Sequence, residues 1–106
     1  MRHFLLFYDL APDYAERRGA YRDAHLVHTW AASDRGDLAL AGSLADPTDT
    51  NVLFFKGDGP EAAEDFARTD PYVLNEIVTG WRVREWMTAV GKEPASMAPR
   101  PQITST

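Results

Sequence analysis

The chain has 106 residues, enough for one compact domain and too few for two. Its 11 basic and 16 acidic residues give a formal charge of −5, which argues against a generic nucleic-acid or anionic-membrane binder without excluding a local basic patch. A hydrophobic share of 44% with 25% charged residues argues against wholesale disorder, and zero cysteines exclude disulfides, thiolate metal sites, iron–sulfur clusters and a cysteine nucleophile.

Arg2 to Asp9 is rich in Phe, Leu and Tyr and is closed by Ala11-Pro12-Asp13. A short apolar run bounded by a turn predicts a strand covered on both faces. Arg18 to about Arg35 lacks proline, and Leu26, Val27, Trp30 and Ala31 fall at helical spacing, which predicts a helix buried along that stripe. Gly36 stands where a C-terminal cap belongs, and Gly19 weakens the helix start. Leu38–Leu44 is a second strand with Gly42 at a bend, Ala45–Asn51 a turn, and Val52–Lys56 a third strand.

Gly57-Asp58-Gly59-Pro60 reads as a turn and lacks the lysine and strand context of a phosphate loop. Pro60 opens a second helix that runs to about Arg68, with Ala63, Phe66 and Ala67 on one side. Asp70-Pro71-Tyr72 breaks it and starts a short turn to Asn75. Ile77–Met87 reads as a fourth strand. Residues 1–88 then form the domain, and 89–106 a Pro-rich C-terminal arm expected to be loose.

The order strand–helix–strand–strand–helix–strand is the split βαβ pattern of an α+β, ferredoxin-like βαββαβ fold: a four-stranded antiparallel sheet with two helices on one face. Because Phe4–Tyr8 and Val52–Phe55 are apolar on both faces, the uncovered face needs a partner, and a second copy packed sheet to sheet is the economical one. No apolar run approaches the ~20 residues that span a bilayer. The start, from Met1 to Tyr8, lacks the long apolar region and small-residue site of a signal peptide, so a cytoplasmic location without membrane contact is expected.

Three motifs in series then carry a resemblance. Arg22-Asp23-Ala24-His25-Leu26 precedes Gly36; Leu40-Ala41-Gly42-Ser43-Leu44 and Asp46 come next; Asp70-Pro71-Tyr72 comes later, and Glu85-Trp86 ends the last strand. In order and spacing this resembles the YciI-like family, the YCII-related domain, whose members carry Arg-x-x-His-Leu, Ala-Gly-Pro-Leu and Asp-Pro-Tyr or Asp-Pro-Phe. The resemblance implies a dimeric α/β barrel and an active site made of the helix histidine and the Asp-Pro-Tyr aspartate, here His25 and Asp70. Ser43 departs from the usual proline, and Thr50-Asn51 stands where a glycine often precedes the third strand.

On the residues alone His25 reads as a surface histidine off the apolar stripe, and Asp70 as the cap of a turn. The resemblance changes that: Asp70 ends the helix and faces His25. A carboxylate that accepts from one imidazole nitrogen fixes the tautomer and raises the basicity of the other, which suits a general acid or base near neutral pH. Arg22, one helical turn before His25, is placed to hold an anionic or carbonyl group. Ser43 is a hydrogen-bond donor at the end of the second strand, with no nucleophile elbow around it. Tyr72, with Trp30, Trp81 and Trp86, is an aromatic of the core, an interface or a pocket wall. His25 and His28 have metal-ligand spacing, but no third ligand is clearly placed beside them, and no metal is expected.

Two functions fit. One is a small cofactor-independent enzyme of lyase or isomerase type, with a His25–Asp70 dyad moving a proton on a small organic substrate that Arg22, Ser43 and Tyr72 contact. The other is a non-catalytic dimeric module that binds a small ligand or partner in the same cleft.

Overall fold

The computed structural model describes residues 1–101; the end of the expected arm, residues 102–106, lies outside the described residues. Its elements in order are β1 (Arg2–Leu10), α1 (Tyr14–Arg17), a 3-10 turn (Arg18–Ala20), α2 (Arg22–Asp34), β2 (Leu38–Ser43), β3 (Thr50–Gly57), α3 (Glu61–Thr69), α4 (Pro71–Leu74) and β4 (Val78–Trp86). The sheet order is β2-β3-β1-β4, and the neighbouring strands pair antiparallel. This is the α+β, ferredoxin-like arrangement. The sheet is open within one chain, with β2 and β4 as its edges.

The strands obey the period of two. In β1, Phe4, Leu6 and Tyr8 are buried under the helices, while Leu5 and Phe7 point the other way and stay partly exposed. Their cross-strand partners follow suit: Leu5 sits opposite Phe54 and Arg84, Phe7 opposite Val52 and Arg82. The helix-free face thus has an apolar centre of Leu5, Phe7, Val52 and Phe54, with arginines along its β4 margin. Arg82 closes over the Phe7 ring at 4.9 Å and pairs with Asp9 at 3.4 Å.

On the helix side the core gathers Phe4, Leu6, Tyr8, Leu53, Phe55 and Phe66. Helix α3 delivers Ala63, Phe66 and Ala67 to it, the side expected from the sequence. Helix α2 is where the expectation fails. Val27 is 72% and Trp30 63% exposed, and only Ala32 is fully buried. The inward line of α2 is His25, His28, Thr29 and Ala32, offset from the Leu26–Val27–Trp30–Ala31 stripe. Helix α2 covers a cleft as well as a core, so polar side chains that find partners across it take the place of apolar ones. The helix also starts later than its composition suggests: Gly19 sits in a 3-10 turn and α2 begins only at Arg22. It ends as expected, with Gly36 at φ +85.

The segment after β4 folds back rather than hanging free. The amide of Ala98 bonds the Ala89 carbonyl at 2.7 Å, and Thr88 Oγ1 accepts from the Ala95 amide at 2.6 Å. The same hydroxyl lies 2.8 Å from Nδ1 of the buried His3. The first part of the arm is thereby tied to β1. Among the described residues no helix is long and apolar enough to cross a membrane.

Candidate active site

Asp70 is the centre of the arrangement. It ends α3 and caps α4: its Oδ1 accepts from the Tyr72 amide at 3.0 Å, with Pro71 filling the first helical position. The side chain is completely buried, and the Tyr8 hydroxyl donates to Oδ2 at 2.7 Å. His25, on the first turn of α2, brings Nδ1 to 2.8 Å from Oδ1 and 3.0 Å from Oδ2. A buried carboxylate is tolerated because every lone pair that needs a donor has one.

That network fixes the imidazole. Both carboxylate oxygens already accept from other donors, so the proton of the His25 contact sits on Nδ1, and Nε2 carries the free lone pair. The ring is clamped on its face by Tyr72, stacked at 3.8 Å between centroids and 4° between planes. Thr29 Oγ1 lies 3.5 Å from Nε2 while donating its own hydrogen to the His25 carbonyl at 2.7 Å. It therefore presents a lone pair, an acceptor for Nε2–H once the ring is protonated.

The His25 ring opens on a cleft of about 460 Å³ between α2 on one side and β2 and β3 on the other. That volume suits a small organic ligand. Arg22 and Ser43 line it as well; Asp70 does not, lying behind the histidine. Tyr72 touches the cleft but is only 2% exposed, and its chief contact is the His25 ring. Burial, aided by Tyr14 and Asp70, raises the Tyr72 phenol's pKa, and the nearby Arg18 and Arg22 charges oppose the rise. Burial and the adjacent Asp70 hold the Tyr8 phenol protonated far above its usual range, so it serves as a fixed donor.

Ser43 is not a free donor into the cleft. Its hydroxyl donates to Asn51 Oδ1 at 2.6 Å. His28 turns away from His25: its Nε2 donates to the Phe66 carbonyl at 3.0 Å and its ring stacks on Phe66, tying α2 to α3. It is a packing residue, half-buried rather than a surface one. Among the described residues no group of three or more His, Cys, Asp or Glu gathers as metal ligands.

Three members of this site carry no signal of their own in the sequence. Tyr8 lies in a run that reads as purely apolar. Thr29 is one position in a helix. Asn51 reads only as a departure from a glycine. Their roles follow from the partners they meet: Tyr8 reaches Asp70, 62 positions away, Thr29 lies one helical turn after His25, and Asn51 lies across from Ser43 on the neighbouring strand.

No family model matches the sequence, and no curated protein matches it. Among solved structures the fold is similar to that of 5-chloro-2-hydroxyhydroquinone dehydrochlorinase from Burkholderia phenoliruptrix AC1100, in complex with 2,5-dihydroxybenzoquinone. The TM-score is 0.68 at 15% identity, over 82% of this chain and 95% of that one. At that identity the likeness shows a shared fold, the ferredoxin-like α+β arrangement described above.

Proposed function

We propose that the chain is a YciI-like enzyme that moves a proton on a small organic substrate, in a reaction of the lyase or isomerase type. The observation that carries this reading is His25: one nitrogen locked onto a fully buried carboxylate, the other left as a lone pair on a ring that lines a ligand-sized cleft. Nε2 takes a proton from an acidic C–H or O–H of the substrate. The imidazolium that forms is flanked by Asp70 at Nδ1 and by Thr29 at Nε2. The proton is then returned to a different substrate atom, giving an isomer, or to a leaving group, giving elimination. Asp70 and Tyr8 orient and do not themselves touch substrate. The fold neighbour, a dehydrochlorinase in complex with a hydroxylated quinone, supports a small planar ring as the first ligand class to try.

The working unit we propose is a homodimer joined through the helix-free face, since Leu5, Phe7, Val52 and Phe54 are left partly exposed in one chain. The reaction runs on the chain's own groups, away from any membrane.

The test is proton exchange. Hydroxylated phenols, hydroxyquinones and unsaturated lactones are incubated with the protein in deuterated water, and label uptake is followed by NMR. Uptake that disappears in His25→Gln and falls strongly in Asp70→Asn supports the enzyme. Saturable binding of a ligand with no exchange or conversion, unchanged by His25→Gln, would make the chain a ligand-binding module instead.

A further inference from the structure

We infer that the cleft is built for a planar organic anion, its charged oxygen held by Arg18 and Arg22 and a second oxygen by the Asn51 amide. This rests on the enzyme reading only in taking the same cleft as the substrate site.

The first observation is charge. The chain carries a formal −5, with 16 acidic residues, yet among the described residues no Asp or Glu lines the cleft. Its charged lining is Arg18 and Arg22, beside His25. Most arginines elsewhere are engaged: Arg2 with Glu85, Arg17 with Asp13, Arg35 with Asp37, Arg68 with Asp65 and Arg82 with Asp9. Arg18 and Arg22 have no carboxylate within ion-pair distance among the described residues. Arg18 is instead held over the Tyr14 ring at 5.4 Å, with Nη1 3.5 Å from the Tyr14 hydroxyl. Arg22 is the first residue of α2, a helix start with no side chain capping it, so the positive end of the helix adds to the guanidinium. An acidic protein that keeps one cleft free of carboxylates presents a local attraction for anions.

The second observation is independent. Asn51 is 8% exposed and lines the cleft. Its Oδ1 is filled by Ser43, and its Nδ2 hydrogens have no protein partner among the described residues. No side-chain nitrogen or oxygen among the described residues is both sealed from solvent and unpaired, so this nitrogen is open to solvent on a residue that lines the cleft. A nearly buried donor left open is a site for an acceptor. Ser43 thus acts through Asn51: it holds the amide so that nitrogen, not oxygen, looks inward. Around these polar groups the walls are flat or apolar, with Tyr14, Trp30, Leu26 and Leu53. A ring bearing an ionised oxygen and a second carbonyl or phenolate oxygen satisfies all of them. A neutral or branched aliphatic ligand leaves the arginines or the amide without a partner.

The experiment is calorimetric titration with two planar anions, 2,5-dihydroxybenzoquinone and 4-hydroxybenzoate, against hydroquinone, which is uncharged at neutral pH. At least one anion should bind, more weakly as salt rises from about 0.05 to about 0.5 M. Arg18→Gln and Arg22→Gln should each weaken it about tenfold or more, the loss expected for a hydrogen bond to a charged group. Lys92→Gln, which removes an equal charge on the arm, should not. Asn51→Asp places a carboxylate in the cleft and should abolish anion binding. Asn51→Ala, checked for an intact melting transition, should weaken it. Hydroquinone should bind poorly and ignore the arginine variants. Failure of both anions to bind, equal affinity for hydroquinone, or arginine variants that bind like the wild type would each overturn the inference. The enzyme reading fails separately: anion binding without proton exchange removes it and leaves the anion site standing. Turnover of a neutral substrate indifferent to Arg18 and Arg22 does the reverse.

Discussion

Tyr8→Phe is the sharpest test of how Asp70 is tolerated. The substitution removes a single oxygen from a side chain that is completely buried and changes nothing at the surface. That oxygen donates at 2.7 Å to a carboxylate whose other donors are the Tyr72 amide and the His25 ring. The space vacated is smaller than a water, so no solvent replaces the lost donor. A hydrogen bond to a charged group in such a place contributes about 1.5–3 kcal/mol. For a domain of this size each kcal/mol moves Tm by about 4–8 °C, so the variant should melt at least about 6 °C lower. Thermal unfolding followed by circular dichroism at neutral pH measures it. The Asp70→Asn background separates charge from packing. There Tyr8 faces a neutral acceptor, and the same substitution should cost about 0.5–1.5 kcal/mol. A Tyr8→Phe variant as stable as the wild type, or one equally costly in both backgrounds, would show that the phenol does not stabilise a buried carboxylate.

Other consequences are as direct. His25→Ala should both abolish proton exchange and destabilise the fold by about 1–3 kcal/mol, because it removes a donor from Asp70 and the ring stacked on Tyr72; turnover and melting read the two effects. Leu5→Glu or Phe7→Glu should convert a dimer into monomers in sedimentation velocity at micromolar concentration, and a monomeric wild type would defeat the proposed interface. His3 provides a pH dependence: burial first, then the charges of Lys56 and the N-terminus, lower its pKa, with Glu93 opposing. The unfolded chain therefore takes up the proton first. This contribution to stability is complete above the unfolded value of about 6.5 and is lost as pH falls from there toward the folded value. His3→Gln should flatten that part of the stability profile, while proteolysis of the wild-type arm should accelerate over the same interval, since His3 Nδ1 lies 2.8 Å from the Thr88 hydroxyl that anchors it.

The parts of this molecule that were legible in its sequence are those governed by local rules. Phe4 to Tyr8 and Val52 to Phe55 announce central strands because each run is apolar on both faces, and each strand has a neighbour along both edges. Asp70-Pro71-Tyr72 announces a break because proline forbids the helix to continue and aspartate caps the short turn of α4. The arm is the opposite case. Its composition predicts looseness, and its anchor, a threonine hydroxyl reaching His3, joins residues 85 positions apart. No periodicity encodes such a contact.

Helix α2 shows why the site resists pattern reading. Its apolar residues are real, but they do not mark its inward face: Val27 and Trp30 stay exposed, while His25 and His28 turn inward. Hydrophobic periodicity assumes that burial means contact with carbon. Here burial is met by a carboxylate from one end of α3 and a carbonyl from its last turn, so the inward line of α2 reads as polar. Departures of this kind concentrate where the chain keeps groups for chemistry. The same reasoning explains Asn51. Its signal is equally hidden from pattern reading: Ser43 donates to its oxygen, which leaves its nitrogen without a protein partner among the described residues on a residue that lines the cleft. Ser43 and Asn51 then form a single device, and the substitution of either should be felt through the other.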